Sequence, residues 1–294
     1  MDPMDLQHMR YVVAVAETGS FTRAAERCFV VQSALSHQIA NLERELGVKL
    51  FARTSRRVEL TQAGQAFLPG ARLSLEAAER AATEAAAAAG EVRGHLTIGT
   101  IPTVTAVDIP EALQRFHDQH PHVSIGVRLG SSDEMTVAVR EGRLDVAALG
   151  LPRNDRPHGV RLHELASDPH VAVVAGSHPL ASEAEVRLAD LADETFVDFP
   201  AGGPGRDQSD LAFAAAGLTR RVAFELMDPT LMLQLVARGL AVALLPPGVV
   251  GEVPGVATVP VHDGPCRVEY LVWGDFNPTP AARAFLATMA MGVA

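Results

Sequence analysis

The chain has 294 residues, 48% of them hydrophobic and 20% charged, which suits one large domain or two to three small ones and excludes an intrinsically disordered chain. A formal net charge of −10 argues against a uniformly basic nucleic-acid coat and against a polybasic membrane binder. The excess is unevenly placed: residues 1–93 hold eleven basic and eleven acidic side chains, whereas residues 94–294 hold fourteen basic and twenty-four acidic, so a small DNA-binding module stays open.

The first elements are short helices. Leu6, Met9, Val12, Val13 and Ala16 recur at helical spacing over residues 5–17, and Gly19 ends that run. Ser20 is placed to cap a second helix, residues 21–27. An apolar turn, Cys28 to Val31, leads to a third helix, residues 32–45, which Gly47 stops. On that third helix Leu35, Ile39 and Leu42 share one face. Ser33, Ser36, His37, Ala40 and Asn41 lie opposite. Residues 48–60 read as a β-hairpin whose tip is basic, with Arg53, Arg56 and Arg57. Thr61 caps a long Ala-rich helix, residues 62–90, with Leu68, Leu75, Ala82 and Ala89 a heptad apart and an expected kink at Pro69-Gly70. It has little to bury by itself, so it is read as pairing with its own copy or connecting domains, against the plainer reading of a solvated linker.

From His95 the period changes. Strands are expected at 96–100, 123–129 and 146–149, with helices at 110–116 and 134–141, which implies a mostly parallel sheet faced by helices. A stretch rich in Pro, Arg and His, residues 151–163, separates this from a second run: strand 170–174, helix 230–237 and strand 241–245. The run Val139 to Leu149 and the run Val236 to Leu245 both read helix, Gly, apolar strand, so two similar lobes with a cleft between them are expected. Strand 270–273 and helix 281–291 then return to the first lobe.

A helix that enters the DNA major groove needs small groups near its backbone and a few side chains that reach base edges. Gln32, Ser33, Ser36 and His37 are of that kind, and Arg53, Arg56 and Arg57 sit where a wing meets phosphates. A polar helix face alone is more often just solvated; the order helix, capped helix, turn, helix, basic hairpin favours DNA binding. In the second region Ser131 to Glu134 fits a capping box. No Gly-x-Ser-x-Gly, His-Glu-x-x-His, P-loop or helix-opening Gly-x-Gly-x-x-Gly occurs, so catalysis is disfavoured. The cluster His117, His120 and His122 is read as solvated loop histidines, no metal or cofactor is expected, and Cys28 and Cys266 are read as reduced thiols in preference to a redox switch. No apolar stretch reaches the ~18–20 residues of a membrane span, and no signal peptide follows the acidic start, so a cytoplasmic location without a membrane partner is expected.

The run Phe21-Thr22-Arg23-Ala24-Ala25-Glu26, then Gln32-Ser33-Ala34-Leu35-Ser36-His37-Gln38-Ile39, Leu42-Glu43, Glu45 to Arg53 and Leu60-Thr61-Gln62-Ala63-Gly64 resembles the N-terminal domain of LysR-type transcriptional regulators. Glu141 to Asp145, Ser177-His178-Pro179-Leu180 and Ala237 to Ala241 before Pro246 are similar to landmarks of the rest of that family. One departure is Val31, where the family usually has Ser or Thr to cap the recognition helix.

The resemblance implies an α/β chain with an N-terminal all-α winged helix-turn-helix (1–60), a linker and dimerisation helix (61–92) and a two-lobed, periplasmic-binding-protein-like effector domain (93–294). Lobe 1 covers about 93–164 and 268–294, and lobe 2 about 165–267. It implies promoter DNA, a small effector and a homodimer or homotetramer as partners. In the effector cleft it places Thr100, Thr103, Ser131 and Ser132 opposite a second-lobe segment from Phe199 to Arg206. Two roles stay open for several of these. Ser131 is a cap, a ligand donor or both; Arg206 is an anion clamp or a surface arginine; Asp228 is an N-cap before Pro229 or also faces the cleft. A polar or anionic effector is expected. The alternative is a cytoplasmic solute-binding protein with a helical appendage and no DNA role.

Overall fold

The computed structural model describes residues 4–53, 58–275 and 278–289. The chain divides into two compact units, residues 1–90 and 91–294.

In the first unit α1 (Leu6–Thr18) opens with a capping box between Asp5 and His8 and ends at Gly19 in the left-handed region. Ser20 caps α2 (Phe21–Arg27), accepting from the Arg23 amide. α2 closes on a left-handed Phe29, φ 56°, where Gly is the usual occupant. The amides of Phe29 and Val30 bond back to Glu26 and Ala25. α3 (Gln32–Leu46) follows, and Gly47 at φ 70° ends it as its sequence position predicts.

Strands β1 (Phe51–Arg53) and β2 (Val58–Leu60) pair antiparallel, Phe51 against Leu60. The hairpin tip, with Arg56 and Arg57, lies outside the described residues. α4 (Gln62–Ala88) is capped by Thr61 and runs on through Pro69 as one helix. The apolar faces of α1, α2 and α3 meet in one core in which Val12, Val15, Ala24, Leu35, Ile39 and Leu42 have no exposed surface. The buried Glu43 carboxylate ties α3 to the hairpin: it accepts from the amides of Leu50 (2.9 Å) and Phe51 (3.2 Å) and from Lys49 Nζ (2.7 Å). Gly64 lets α4 seat on the hairpin, because a Cβ there would lie 2.1 Å from the Leu50 carbonyl oxygen.

The second unit takes, in order, β3 (Gly94–Thr100), α5 (Ile109–Gln119), β4 (Val123–Leu129), α6 (Ser132–Arg140), β5 (Val146–Pro152), β6 (Val160–Pro169) and β7 (Val171–Ala175). Then come α7 (Leu188–Leu191), β8 (Thr195–Asp198), α8 (Pro204–Ala215), β9 (Arg221–Glu225), α9 (Pro229–Ala237) and β10 (Ala243–Leu245). The last elements are α10 (Pro247–Val250), β11 (Val256–Pro260), β12 (Cys266–Gly274) and α11 (Pro280–Thr288).

The first lobe's sheet has the order β4-β3-β5-β12-β6, with β3, β4 and β5 parallel and β12 antiparallel to both neighbours. Its centre, β5, is an unbroken apolar run, as a strand covered on both faces requires. In the second lobe β10-β7-β11 is antiparallel, and the parallel pair β8-β9 joins it through a parallel bridge between Phe196 and Val242. The resulting order, β9-β8-β10-β7-β11, repeats the first lobe's order and strand directions. The echo between the two halves of the sequence is thus a repeated sheet topology.

Two segments differ from the sequence expectation. Within 151–163, expected only to separate the two runs, the end of β5 and the start of β6 are strand: β6 pairs with β12 along nine positions, a partner about a hundred residues away. The Phe199–Arg206 segment, expected as the cleft's second-lobe side with no element assigned to it, becomes helix at Pro204, with Gly203 as N-cap and Pro at the first helical position.

Candidate functional site

Gln32 opens α3 and is exposed, as are Ser33 and His37; Ser36 is half-buried. The polar face of the wheel is therefore a surface, with His37 Nδ1 3.4 Å from Asn41 Nδ2. Helix α1 is tied to this helix by the contact of His8 Nε2 with Gln38 Oε1 at 3.1 Å. Val31 is the N-cap and makes no side-chain cap bond. It is 68% exposed, so a hydroxyl has room there. Val31→Ser is expected to stabilise the start of α3 by about 1 kcal/mol. Amide exchange over residues 33–36 should then slow about five-fold; unchanged exchange would show that the first turn needs no cap. Arg53 lies in β1; its side chain, like Arg56 and Arg57, lies outside the described residues.

In the second unit a cavity of about 360 Å³ opens between the lobes. Thr103, Ser131, Ser132, Phe199 and Arg206 line it together; Thr100 and Asp228 are not among its lining residues. Thr100 ends β3, buried, with its hydroxyl donating to the Ile101 carbonyl at 3.1 Å. Asp228 caps α9, accepting from the Thr230 amide at 2.8 Å, and its neighbour Met227 reaches the cavity instead.

Ser131 is the N-cap of α6 in a complete capping box with Glu134. Ser132 is buried and exchanges hydrogen bonds with Gly150, its hydroxyl donating to the carbonyl at 3.0 Å and accepting from the amide at 3.2 Å. Arg206 stands in the first turn of α8. It is held by Asp210 (3.0 Å) and Glu225 (3.1 Å), with 14% of its side chain exposed, so two carboxylates already occupy the guanidinium. The Phe199 edge is pinned by the neighbouring carboxylate: Asp198 accepts from the Phe199 amide at 2.7 Å and pairs with Arg220 at 2.6 Å. Burial pushes the Asp198 carboxyl up to about 6, against the pull of Arg220.

The cation most enclosed in the cavity wall is Arg267, at the start of β12 and 2% exposed. Its guanidinium donates to Thr103 Oγ1 and to the Thr103 carbonyl, both at 2.8 Å, and pairs with Glu269 and, at 3.4 Å, Asp168. Glu269 has no exposed surface and also accepts from the amides of Thr105 and Ala106, each at 3.1 Å. Burial lowers the Arg267 pKa although both carboxylates oppose that shift. His170, between β6 and β7, lines the same cavity. Burial, aided by Arg267, pushes its imidazole down to about 3. The roles of Arg267 and His170 are absent from the sequence reading. The available signal was two charges, Arg267 and Glu269, spaced to share one face of an otherwise apolar strand.

Of the histidines read as solvated, His117 and His122 are exposed, the latter with Nε2 3.6 Å from Glu91, whereas His120 is half-buried and packs on Phe116 (5.0 Å between centroids). Cys28 and Cys266 are free thiols. No helix among the described residues is long and apolar enough to cross a membrane.

A helix-turn-helix head followed by a two-lobed α/β module with an interlobe cavity defines a ligand-responsive regulator class. Residues 6–65 match the bacterial regulatory helix-turn-helix protein of the lysR family, and residues 89–293 match the LysR substrate binding domain. The chain belongs to the LysR family and is a DNA-binding transcriptional regulator.

It is 37% identical to the HTH-type transcriptional regulator ShiR of Corynebacterium glutamicum (strain R), over 82% of each chain. It is 35% identical to the HTH-type transcriptional regulator YnfL of Escherichia coli (strain K12), over 96% of each. Among solved structures, full-length CbnR complexed with its target DNA superposes with a TM-score of 0.71 at 28% identity, covering 98% of this chain and 99% of that one. The solute-binding alternative without a DNA role is therefore set aside.

Proposed function

We propose that residues 1–60 read promoter DNA, that 61–92 link and dimerise, and that 93–294 sense a small polar or anionic effector in the interlobe cleft. On this reading Gln32, Ser33, Ser36 and His37 face the major groove, and Arg53, Arg56 and Arg57 meet the backbone. The protein acts in the cytoplasm as a homodimer or a dimer of dimers, without catalytic chemistry of its own.

The observation that carries the effector part is the cavity itself. It is lined from one lobe by the N-terminus of α6 and from the other by that of α8, the latter without a side-chain cap. Helix N-termini offer free N–H groups and a positive dipole end, which suit an anion. Self-association is supported by α4, which buries fully only Gly64 and Ala71 of its 27 residues and leaves Leu73 65% exposed. An effector acts by binding two arrangements of the assembly with different affinity.

A gel-shift titration on the chain's own upstream region tests the DNA part. His37→Ala is expected to relax base preference at one position. Arg53→Ala should weaken binding to all sequences and lower the salt slope by about 1. If both variants keep wild-type affinity and selectivity at moderate salt, the recognition assignment is wrong.

A further inference from the structure

We propose that Glu43 is the positioning residue of the DNA-reading head: it fixes the wing hairpin against α3, so that the wing's phosphate contacts and the helix's base contacts are made as one rigid unit. This rests on the reading of α3 and of the Arg53 wing as the DNA surface.

Five consecutive residues, Gly47 to Phe51, are bonded to Glu43. The amides of Gly47 and Val48 donate to its carbonyl, the latter at 3.2 Å, and close α3. Its carboxylate takes the next three residues. Lys49 Nζ meets one oxygen at 2.7 Å, and the amides of Leu50 and Phe51 meet the other at 2.9 and 3.2 Å. The same residue therefore ends the recognition helix and starts β1.

The hairpin needs such a hold. Two strands of three residues each are marginal by themselves, so their orientation comes from what anchors them. Thr61 grips the carbonyl edge of the same segment, its hydroxyl donating to the Lys49 carbonyl and its amide to that of Leu50 at 2.9 Å. Leu50 and Phe51 are buried, and Phe51 packs edge-on against Phe21 of α2, 5.8 Å between centroids. Their amides cannot turn to water, and without Glu43 both lose the acceptor the fold gives them.

A carboxylate is the side chain with enough lone pairs to serve two amides and an ammonium together. Glu43 is 4% exposed, one turn beyond Ile39 on the buried face of α3, and does not itself face DNA. Burial by itself raises its pKa; the bonds from Lys49, Leu50 and Phe51 outweigh that and hold the carboxyl below the usual carboxylate range. A wing held in advance pays no ordering cost when it docks, whereas a wing released from α3 pays it at each encounter.

Gel-shift titrations of the full-length chain on its own upstream region, at several salt concentrations, test this in wild type, Glu43→Ala and Glu43→Gln, each with and without Arg53→Ala. In the wild type Arg53→Ala is expected to weaken binding about tenfold and to lower the salt slope by about 1. In Glu43→Ala the same change should cost less than about twofold, because Arg53 is no longer held at its phosphate. His37→Ala should keep its effect on base preference in both. Glu43→Gln retains a carbonyl oxygen for the two amides while the exposed Lys49 ammonium turns to water, so there the full Arg53 cost should return. A merely structural role lowers the folded fraction, followed by circular dichroism, without changing what Arg53→Ala costs.

An Arg53→Ala cost that is equal in wild type and Glu43→Ala overturns the proposal and leaves the wing reading intact. So does a Glu43→Gln head that behaves like Glu43→Ala. If Arg53→Ala leaves wild-type binding unchanged, the wing reading itself fails and takes the proposal with it. Where Glu43→Ala does not fold, the wild type decides. Its Leu50 and Phe51 amides should already exchange slowly without DNA; protection gained only on DNA means that the joint forms on binding, and the proposal falls.

Discussion

Glu269→Ala is expected to cost the effector module about 3 kcal/mol, because it leaves the buried Arg267 guanidinium with Asp168, at 3.4 Å, in place of its close carboxylate partner. The substitution also leaves the Thr105 and Ala106 amides without the carboxylate that now accepts from both. A loss of that size lowers the melting temperature by on the order of 10 °C for a module this large. The single tryptophan, Trp273, lies on β12 and is 6% exposed, so its fluorescence in urea reports on this module. Removing both charges, with Arg267→Met and Glu269→Leu together, should restore much of the loss, since a buried pair replaced by apolar groups is often near neutral. A Glu269→Ala module as stable as the wild type would mean that the pair is solvated.

The second large effect is a loss of stability in acid. The imidazole of His170 sits at about 3 in the fold against an ordinary 6.5. The unfolded chain therefore binds a proton that the folded chain refuses. The stabilisation is fully present above pH 6.5 and is lost progressively as pH falls from 6.5 towards 3, up to about 4–5 kcal/mol. Asp198 works the other way. Its carboxyl is raised from an ordinary 3.8 to about 6, so its protonation favours the fold as pH drops through that range. Comparing wild type with His170→Leu cancels the Asp198 contribution. Urea midpoints followed at Trp273 should diverge in favour of the Leu variant between pH 6.5 and 4. Parallel profiles would show that His170 takes up its proton without opening the module.

Much of the DNA-reading head is legible along the chain because its determinants are local. Ser20 and Thr61 cap helices whose first turns they adjoin, and Leu35, Ile39 and Leu42 need only a 3.6-residue period to reveal their face. Val31 shows the same locality in reverse: the missing hydroxyl in the sequence is a missing cap bond in the fold. In the effector module Ser131 and Asp228 are likewise readable as caps, three and two residues from the amides they bind. Those same local bonds do not say which helix start faces the cavity, and there Ser131 and Asp228 part ways.

Arg206 and Arg267 show where local reading ends. Beside Gly202, Gly203 and Gly205, Arg206 reads as an anion clamp or a surface arginine, yet Asp210 on its own helix and Glu225 from β9 hold it. Arg267 carries no motif at all.

Periodicity, caps and the repeated helix-Gly-strand junction point to most elements of the first unit and of the first lobe and to the two-lobed plan, because each depends on neighbours within a few residues, whereas α7, β8, α8, β9 and β11 of the second lobe are not read from the sequence. The cleft's charge and its buried groups are set elsewhere. Thr103 and Arg267 meet across 164 positions, and His170 takes its place where β6 hands over to β7. Burial and partner choice at such points are properties of the packed chain, since desolvation depends on everything that closes around a group and not on the residues beside it in the sequence.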